Sequence, residues 1–83
     1  MITLYTTGFC APCRRARQVL DYAAAKTGAS FREVNVSDYP DEALLLGITS
    51  TPTIRTDDGS LFIGVPTLSQ AAALLRGTPG ESD

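Results

Sequence analysis

The spacing of apolar positions changes several times along this chain, and each change marks an element. Ile2, Leu4 and Tyr5 lie in a short β-prone run closed by Thr6-Thr7-Gly8, which predicts a first strand over 1–6 and a loop at Gly8-Phe9. From Ala11 to about Lys26 the interval widens to three and four. Cys13, Ala16, Val19, Leu20 and Ala23 then share one side of a helix, and Arg14, Arg15, Gln18, Asp21 and Lys26 fill the other. Pro12 falls in the first turn, where its missing N–H has no helical partner to lose. Gly28 stands where a left-handed cap would end that helix.

Phe31 to Val36 reads as a second strand, with Phe31, Val34 and Val36 expected in the core. Strand, helix and strand of these lengths make a βαβ unit, so strands one and two should run parallel with a right-handed crossover. Ser37-Asp38-Tyr39-Pro40 opens a short second helix, with Asp41 and Glu42 in its first turn, where the helix dipole favours acids. It should run through Leu44, Leu45 and Leu46 and stop at Gly47. Thr53–Thr56 and Leu61–Gly64 flank Asp57-Asp58-Gly59-Ser60, a strong signal for an antiparallel hairpin. Thr67-Leu68-Ser69-Gln70 fits a capping box before a last helix ending near Arg76. The pattern therefore predicts an α/β domain over 1–76 and a polar, Pro/Gly-rich tail over 77–83 that should fray.

Composition narrows the function classes. A chain of 83 residues has room for one small domain. A formal charge of −2 leaves no basic footprint for nucleic acid. No apolar run approaches the roughly 18 residues that a membrane helix needs. Met1 leads directly into the strand pattern without the features of a secretory leader, so a cytoplasmic protein, working as a monomer, is expected. Thiols are kept reduced there, and a Cys-x-x-Cys pair is more often catalytic or metal-binding than a structural staple.

Such a pair opens the long helix: Cys10-Ala11-Pro12-Cys13. Three residues apart at a helix start, the two sulfurs share one turn. Cys10 sits where backbone N–H groups are unpaired and the dipole favours negative charge. A fall in its pKa from about 8.5 to about 7 would raise the thiolate fraction at neutral pH from roughly 3% to roughly half. Four readings compete: a dithiol redox site, half of a metal site, an incidental disulfide, or unrelated buried thiols. Closed zinc sites need four ligands, and the chain has two cysteines and no histidine. Two thiolates could still hold Cu(I). In the redox reading Cys10 is the exposed nucleophile, and Cys13, one turn in on the apolar side, is the resolving thiol. Arg14 either supports the Cys10 thiolate or is a solvated surface residue. Thr51-Pro52-Thr53 enters strand three, and only about one X-Pro bond in twenty is cis in folded proteins.

Cys-Ala-Pro-Cys after a strand, Ile48-Thr49-Ser50-Thr51-Pro52-Thr53 before a hairpin, and Ile63-Gly64 before a last helix together resemble the thioredoxin superfamily. The resemblance covers residues 1 to about 76. It is to the short form lacking the N-terminal strand and helix, as in glutaredoxins and the small glutaredoxin-like electron donors of ribonucleotide reductase. It implies a thioredoxin-like fold in its minimal form β-α-β-α-β-β-α. The four-stranded mixed sheet would have the order 2-1-3-4 with helices on both faces. It also implies a cis Thr51-Pro52 beside the cysteines, with the Thr51 N–H and C=O facing outward to pair with an extended substrate segment.

Branch signals are mixed. Leu4-Tyr5-Thr6-Thr7 is glutaredoxin-like, whereas Pro12 directly before the second cysteine, and the spacing from Pro40 to Pro52, are thioredoxin-like. Phe9 replaces the usual Trp of thioredoxins, Leu4 their buried Asp, and Glu33 its Lys partner, so that proton relay is missing or replaced. Glu33 reads otherwise as a solvated strand residue. Val65-Pro66-Thr67 replaces the Gly and acidic pair with which glutaredoxins grip glutathione, although Thr67 and the last helix N-terminus could hold a carboxylate. Phe9, Thr51, Gly64 and Val65 are either a small docking patch around the sulfurs, with Pro52 among them, or plain loop and core.

The function expected is a thiol–disulfide oxidoreductase that reduces protein disulfides through Cys10 and Cys13, with Pro12 and Arg14 in support. It would need no cofactor beyond the redox-active disulfide. Its partners would be disulfide-containing proteins and an upstream reductase, such as thioredoxin reductase, or a small thiol. The alternatives are an enzyme coupled to glutathione or another low-molecular-weight thiol, a Cu(I) carrier, and a docking domain with incidental cysteine chemistry.

Overall fold

Strand β1 (Ile2–Thr6) is buried at all five positions, which places it at the centre of the sheet. A strand flanked on both sides and covered on both faces has no solvent side to alternate toward. Its threonines are accommodated by side-chain partners: Thr3 accepts from Arg32 at 3.2 Å, and Thr6 donates to Glu33 at 3.1 Å. In the computed structural model, which describes residues 1–76, the chain continues through α1 (Ala11–Thr27), β2 (Phe31–Asn35) and α2 (Pro40–Leu45). It ends with β3 (Thr53–Arg55), β4 (Leu61–Ile63) and α3 (Leu68–Leu75). The expected tail over 77–83 lies outside the described residues.

Sheet order is β2-β1-β3-β4, with β1 and β2 parallel and the other neighbours antiparallel. Register aligns Leu4 with Glu33 on one side and Ile54 on the other. Ile2, Leu4 and Ile54 form the core with Ala16, Leu20 and Ala23 of α1 and Ala71 and Leu74 of α3. The opposite face carries Tyr5, whose hydroxyl donates to Glu42 of α2 at 3.2 Å. Helices therefore cover both faces, and the architecture is the minimal thioredoxin-like one. The Asp-Gly hairpin forms as expected, with Gly59 at φ +89 and Thr56, Asp58 and Ser60 hydrogen-bonded across the turn.

One expectation about the core is corrected. Phe31, Val34 and Val36 are half-buried, because β2 is an edge strand with one neighbour. In α2 the buried residue is Ala43, while Leu44 and Leu45 are exposed and Leu46 is the cap. Six residues on one sheet face can turn only one side inward.

Helix ends follow the local chemistry. Gly28 caps α1 at φ 75, its N–H donating to Ala24. At α3 the Thr67 hydroxyl accepts from the Gln70 N–H at 3.1 Å, and the Gln70 side chain accepts from the Thr67 N–H at 2.8 Å. Substituting Thr67→Ala should lower stability by about 1 kcal/mol. Leu20→Ala, at a position fully closed to solvent, should cost about 2–5 kcal/mol. Urea titration monitored by circular dichroism ranks the two, and an equal loss would contradict the core assigned here.

Candidate active site

The site begins where β1 leaves the sheet. Thr7 and Gly8 turn the chain, and Phe9 takes a left-handed conformation, φ 54, with its ring wholly in solvent. A non-glycine residue pays roughly 1–2 kcal/mol for that conformation. Cys10 follows in extended geometry as the N-cap of α1, and its Sγ accepts the Cys13 N–H at 3.2 Å. A sulfur thus stands where Ser or Asp usually caps a helix. Cys13 is 1% exposed, on the helix face that continues through Ala16 and Leu20. The two cysteines form a disulfide, with Cα atoms 5.2 Å apart. Once that bond is reduced, the N–H and the helix dipole both favour a thiolate on Cys10.

The second half of the site arrives from the loop before β3. Thr51-Pro52 is a cis peptide, Pro52 is buried, and the Thr51 hydroxyl lies 3.9 Å from Cys10 Sγ and 3.2 Å from the Thr7 hydroxyl. The Thr53 hydroxyl closes this loop by donating to the Ser50 carbonyl at 2.7 Å. Gly64, at φ +102, donates its N–H to the Pro52 carbonyl at 2.9 Å, so the end of β4 is tied to the prolyl loop. Val65 follows in the chain, partly exposed, and Pro66 is buried. Among the described residues, the N–H and C=O of Thr51 take no backbone partner. A groove of about 350 Å³ beyond Thr51 is lined by Thr7, Pro40, Ala43, Leu44 and Ile48.

Cys10, Cys13, Thr51 and Pro52 are therefore brought together, and Gly64 joins them through Pro52. Phe9 stands beside Cys10 with its ring in solvent. Arg14 is exposed, its backbone N–H donating to the Cys10 carbonyl at 3.2 Å. Its side chain lines a polar cleft of about 650 Å³ that also reaches Cys10, Arg17, Glu33 and Asp38.

In that cleft Arg17 donates from Nε and Nη2 to the two oxygens of Glu33, each at 2.8 Å. Arg17 holds the Glu33 carboxyl below the usual range; partial burial works against this, and the Thr6 hydroxyl helps. Sequence reading found Glu33 but missed Arg17. The signal was there: Arg17 lies seven residues, two helical turns, after Cys10, and a right-handed crossover brings α1 over β2. The neighbour of Glu33 in β1 is the fully buried Leu4, so that position of the central strand carries no charge. Among the described residues no group of three or more His, Cys, Asp or Glu converges, and no helix is long and apolar enough to cross a membrane.

The lowered Glu33 value has a definite sign for stability. A carboxylate ionised more readily in the folded chain stabilises it above the unfolded Glu pKa of about 4.3, and that contribution is lost as pH falls through the lower folded value. The acid limb of a stability–pH profile should accordingly be shallower for Glu33→Gln. Coincident limbs would mean that the pair adds nothing to folding.

A family model described as a thioredoxin domain matches residues 1–76. A probable thioredoxin of Archaeoglobus fulgidus is 32% identical over 82 residues, covering 96% of this chain and 90% of that protein. A thioredoxin of Methanocaldococcus jannaschii is 32% identical over 68 residues, 80% of each chain. Among solved structures, a mutant thioredoxin from Halobacterium salinarum superposes with a TM-score of 0.79 at 19% identity, covering 99% of this chain and 76% of that one. The glutaredoxin-like NrdH-redoxin from Escherichia coli gives 0.63 at 24% identity, covering 96% and 97%. The two structural likenesses speak to the fold, and the family model and sequence relatives speak to descent: this chain belongs to the thioredoxin family.

Proposed function

We propose that the chain reduces disulfides in partner proteins by dithiol exchange. The observation that carries this reading is the Cys10 sulfur at the mouth of α1, accepting the Cys13 N–H, with the Thr51-Pro52 loop against it. In the reduced protein the Cys10 thiolate attacks one sulfur of the substrate disulfide. A mixed disulfide forms, and the first substrate sulfur leaves as a thiolate that takes a proton from solvent. Cys13, losing its proton, then attacks Cys10 Sγ. The Cys10–Cys13 disulfide forms and the second substrate thiolate departs, so two electrons have passed to the substrate.

The free N–H and C=O of Thr51 support pairing with an extended substrate segment. Phe9, Pro52, Gly64 and Val65 would form the apolar surround, with Pro12 starting the helix and Arg14 beside the reactive sulfur. A thioredoxin reductase or a small thiol would return the electrons. The cytoplasm, where thiols are kept reduced, suits this direction of flow.

One local feature favours a protein over a small thiol as substrate. Thr67 and Gln70 satisfy each other at the start of α3, so two of the N–H donors that could grip a thiol's carboxylate there are already engaged.

In Cys13→Ser the resolving step is removed, and a mixed disulfide between Cys10 and its partner should accumulate, visible by non-reducing electrophoresis and mass spectrometry. Accumulation in Cys10→Ser instead would reverse the two roles. The direction of exchange is read by redox titration against glutathione. Thioredoxin kinship and Pro12 between the cysteines support an expected potential nearer about −270 mV than the roughly −120 mV of strong oxidants, and a value above about −180 mV would indicate an oxidant or isomerase.

A further inference from the structure

The polar cleft beside Cys10 holds charges that the exchange reaction above does not use. Four charged side chains line it: Arg14 and Arg17 from α1, Glu33 from β2, and Asp38 from the turn between β2 and α2. The neutral groups facing it are Thr6, Thr7, Asn35 and Tyr39, and on the far side of Cys10 the Thr51 hydroxyl. At neutral pH the four charges sum to zero, two positive against two negative. One pair is locked: both oxygens of Glu33 are held by Arg17, and one also accepts from Thr6. From β1, Leu4 stands in register with Glu33 and Thr6 bonds to it, and neither carries a charge.

We infer that the Arg17–Glu33 pair is electrostatically balanced, each partner keeping the other's charge from shifting the acidity of the Cys10 thiol. Each partner cancels the other's field at the sulfur, so the main stabiliser of the thiolate is the start of α1 itself, through the Cys13 N–H at 3.2 Å. Removing either partner leaves a net charge in the cleft that Cys10 shares. Without Glu33, the uncompensated Arg17 guanidinium favours the thiolate. Without Arg17, the uncompensated carboxylate opposes it. A unit charge about 10 Å away, at an effective dielectric of about 40–80, moves a thiol's ionisation by about 0.3–0.6 pH units. The pair acts only through this balance of charge, since neither residue touches the reacting sulfurs. This inference rests on Cys10 being the attacking thiol, but its test reads ionisation directly, so its failure would leave that assignment standing; a failed assignment would show instead in the trapping experiment.

The test is the pH dependence of Cys10 thiolate absorbance in reduced protein carrying Cys13→Ser, so that one thiol titrates. Alkylation rates against pH with Cys13 intact give an independent reading. Glu33→Gln should shift Cys10 ionisation to lower pH, Arg17→Gln to higher pH, and the double variant should return close to the parent. Arg17→Lys keeps the charge and loses the fork, and should also stay close to the parent. The opposed shifts should shrink in about 1 M salt, where the Debye length is about 3 Å. Thermal stability, recorded alongside, should fall in both single variants, so loosening of the fold would move them in the same direction. Shifts of the same sign in the two single variants, or none in either, would overturn the inference.

Discussion

The first turn of an α-helix has N–H groups that no carbonyl of its own can accept. Here one of them, from Cys13, points at a sulfur, and most of the structure serves to hold that arrangement in place. The sulfur is Cys10 because β1, buried at every position, fixes where the chain leaves the sheet. Cys13 stays beneath it because α1 lays Cys13, Ala16, Leu20 and Ala23 against the core, so the helix cannot roll without exposing apolar surface. Burying a residue the size of Leu20 is worth about 1.5–3 kcal/mol. That is enough to fix the helix's rotation and, with it, which cysteine faces solvent.

The other side of the sulfur is supplied by chain far away in sequence. Thr51 reaches Cys10 across 41 positions, and its own placement depends on the antiparallel pairing of β3 with β1. Gly64 reinforces the loop from β4 by bonding to Pro52, with a φ of +102 that a side chain would rarely tolerate. The central strand is thus read from both ends. Its exit presents the cysteines, and its antiparallel neighbour presents the prolyl loop.

What was legible in the sequence follows from this division between local and distant causes. The long helix, its Gly28 cap, the Asp58-Gly59 hairpin and the Thr67/Gln70 box are each set by residues within a few positions, and all appear as read. Phe31, Val34 and Val36 look like core because they are apolar and β-prone. Whether they are covered depends on β2 lying at the sheet edge, which no local pattern encodes. The cis bond at Thr51-Pro52 was legible only through resemblance to a family, since a lone X-Pro dipeptide argues for trans. Arg17 was the clearest omission. It looked like one more charge on a solvated face, and only the packing of α1 across β2 shows that it meets Glu33.

The different surroundings of the two cysteines bear on the order of chemical events. Cys10 is partly open and faces helix N–H donors, a setting that favours the thiolate, whereas Cys13 is enclosed by apolar neighbours, a setting that keeps a thiol protonated. In the exchange proposed above, a substrate disulfide would therefore meet one nucleophile, not two. The second would act only after the mixed disulfide had formed, when Cys10 would no longer carry charge and the N–H of Cys13 would have lost its anionic partner. Sequential attack would then arise from solvent access and helix polarity, and these follow from where β1 ends and α1 begins.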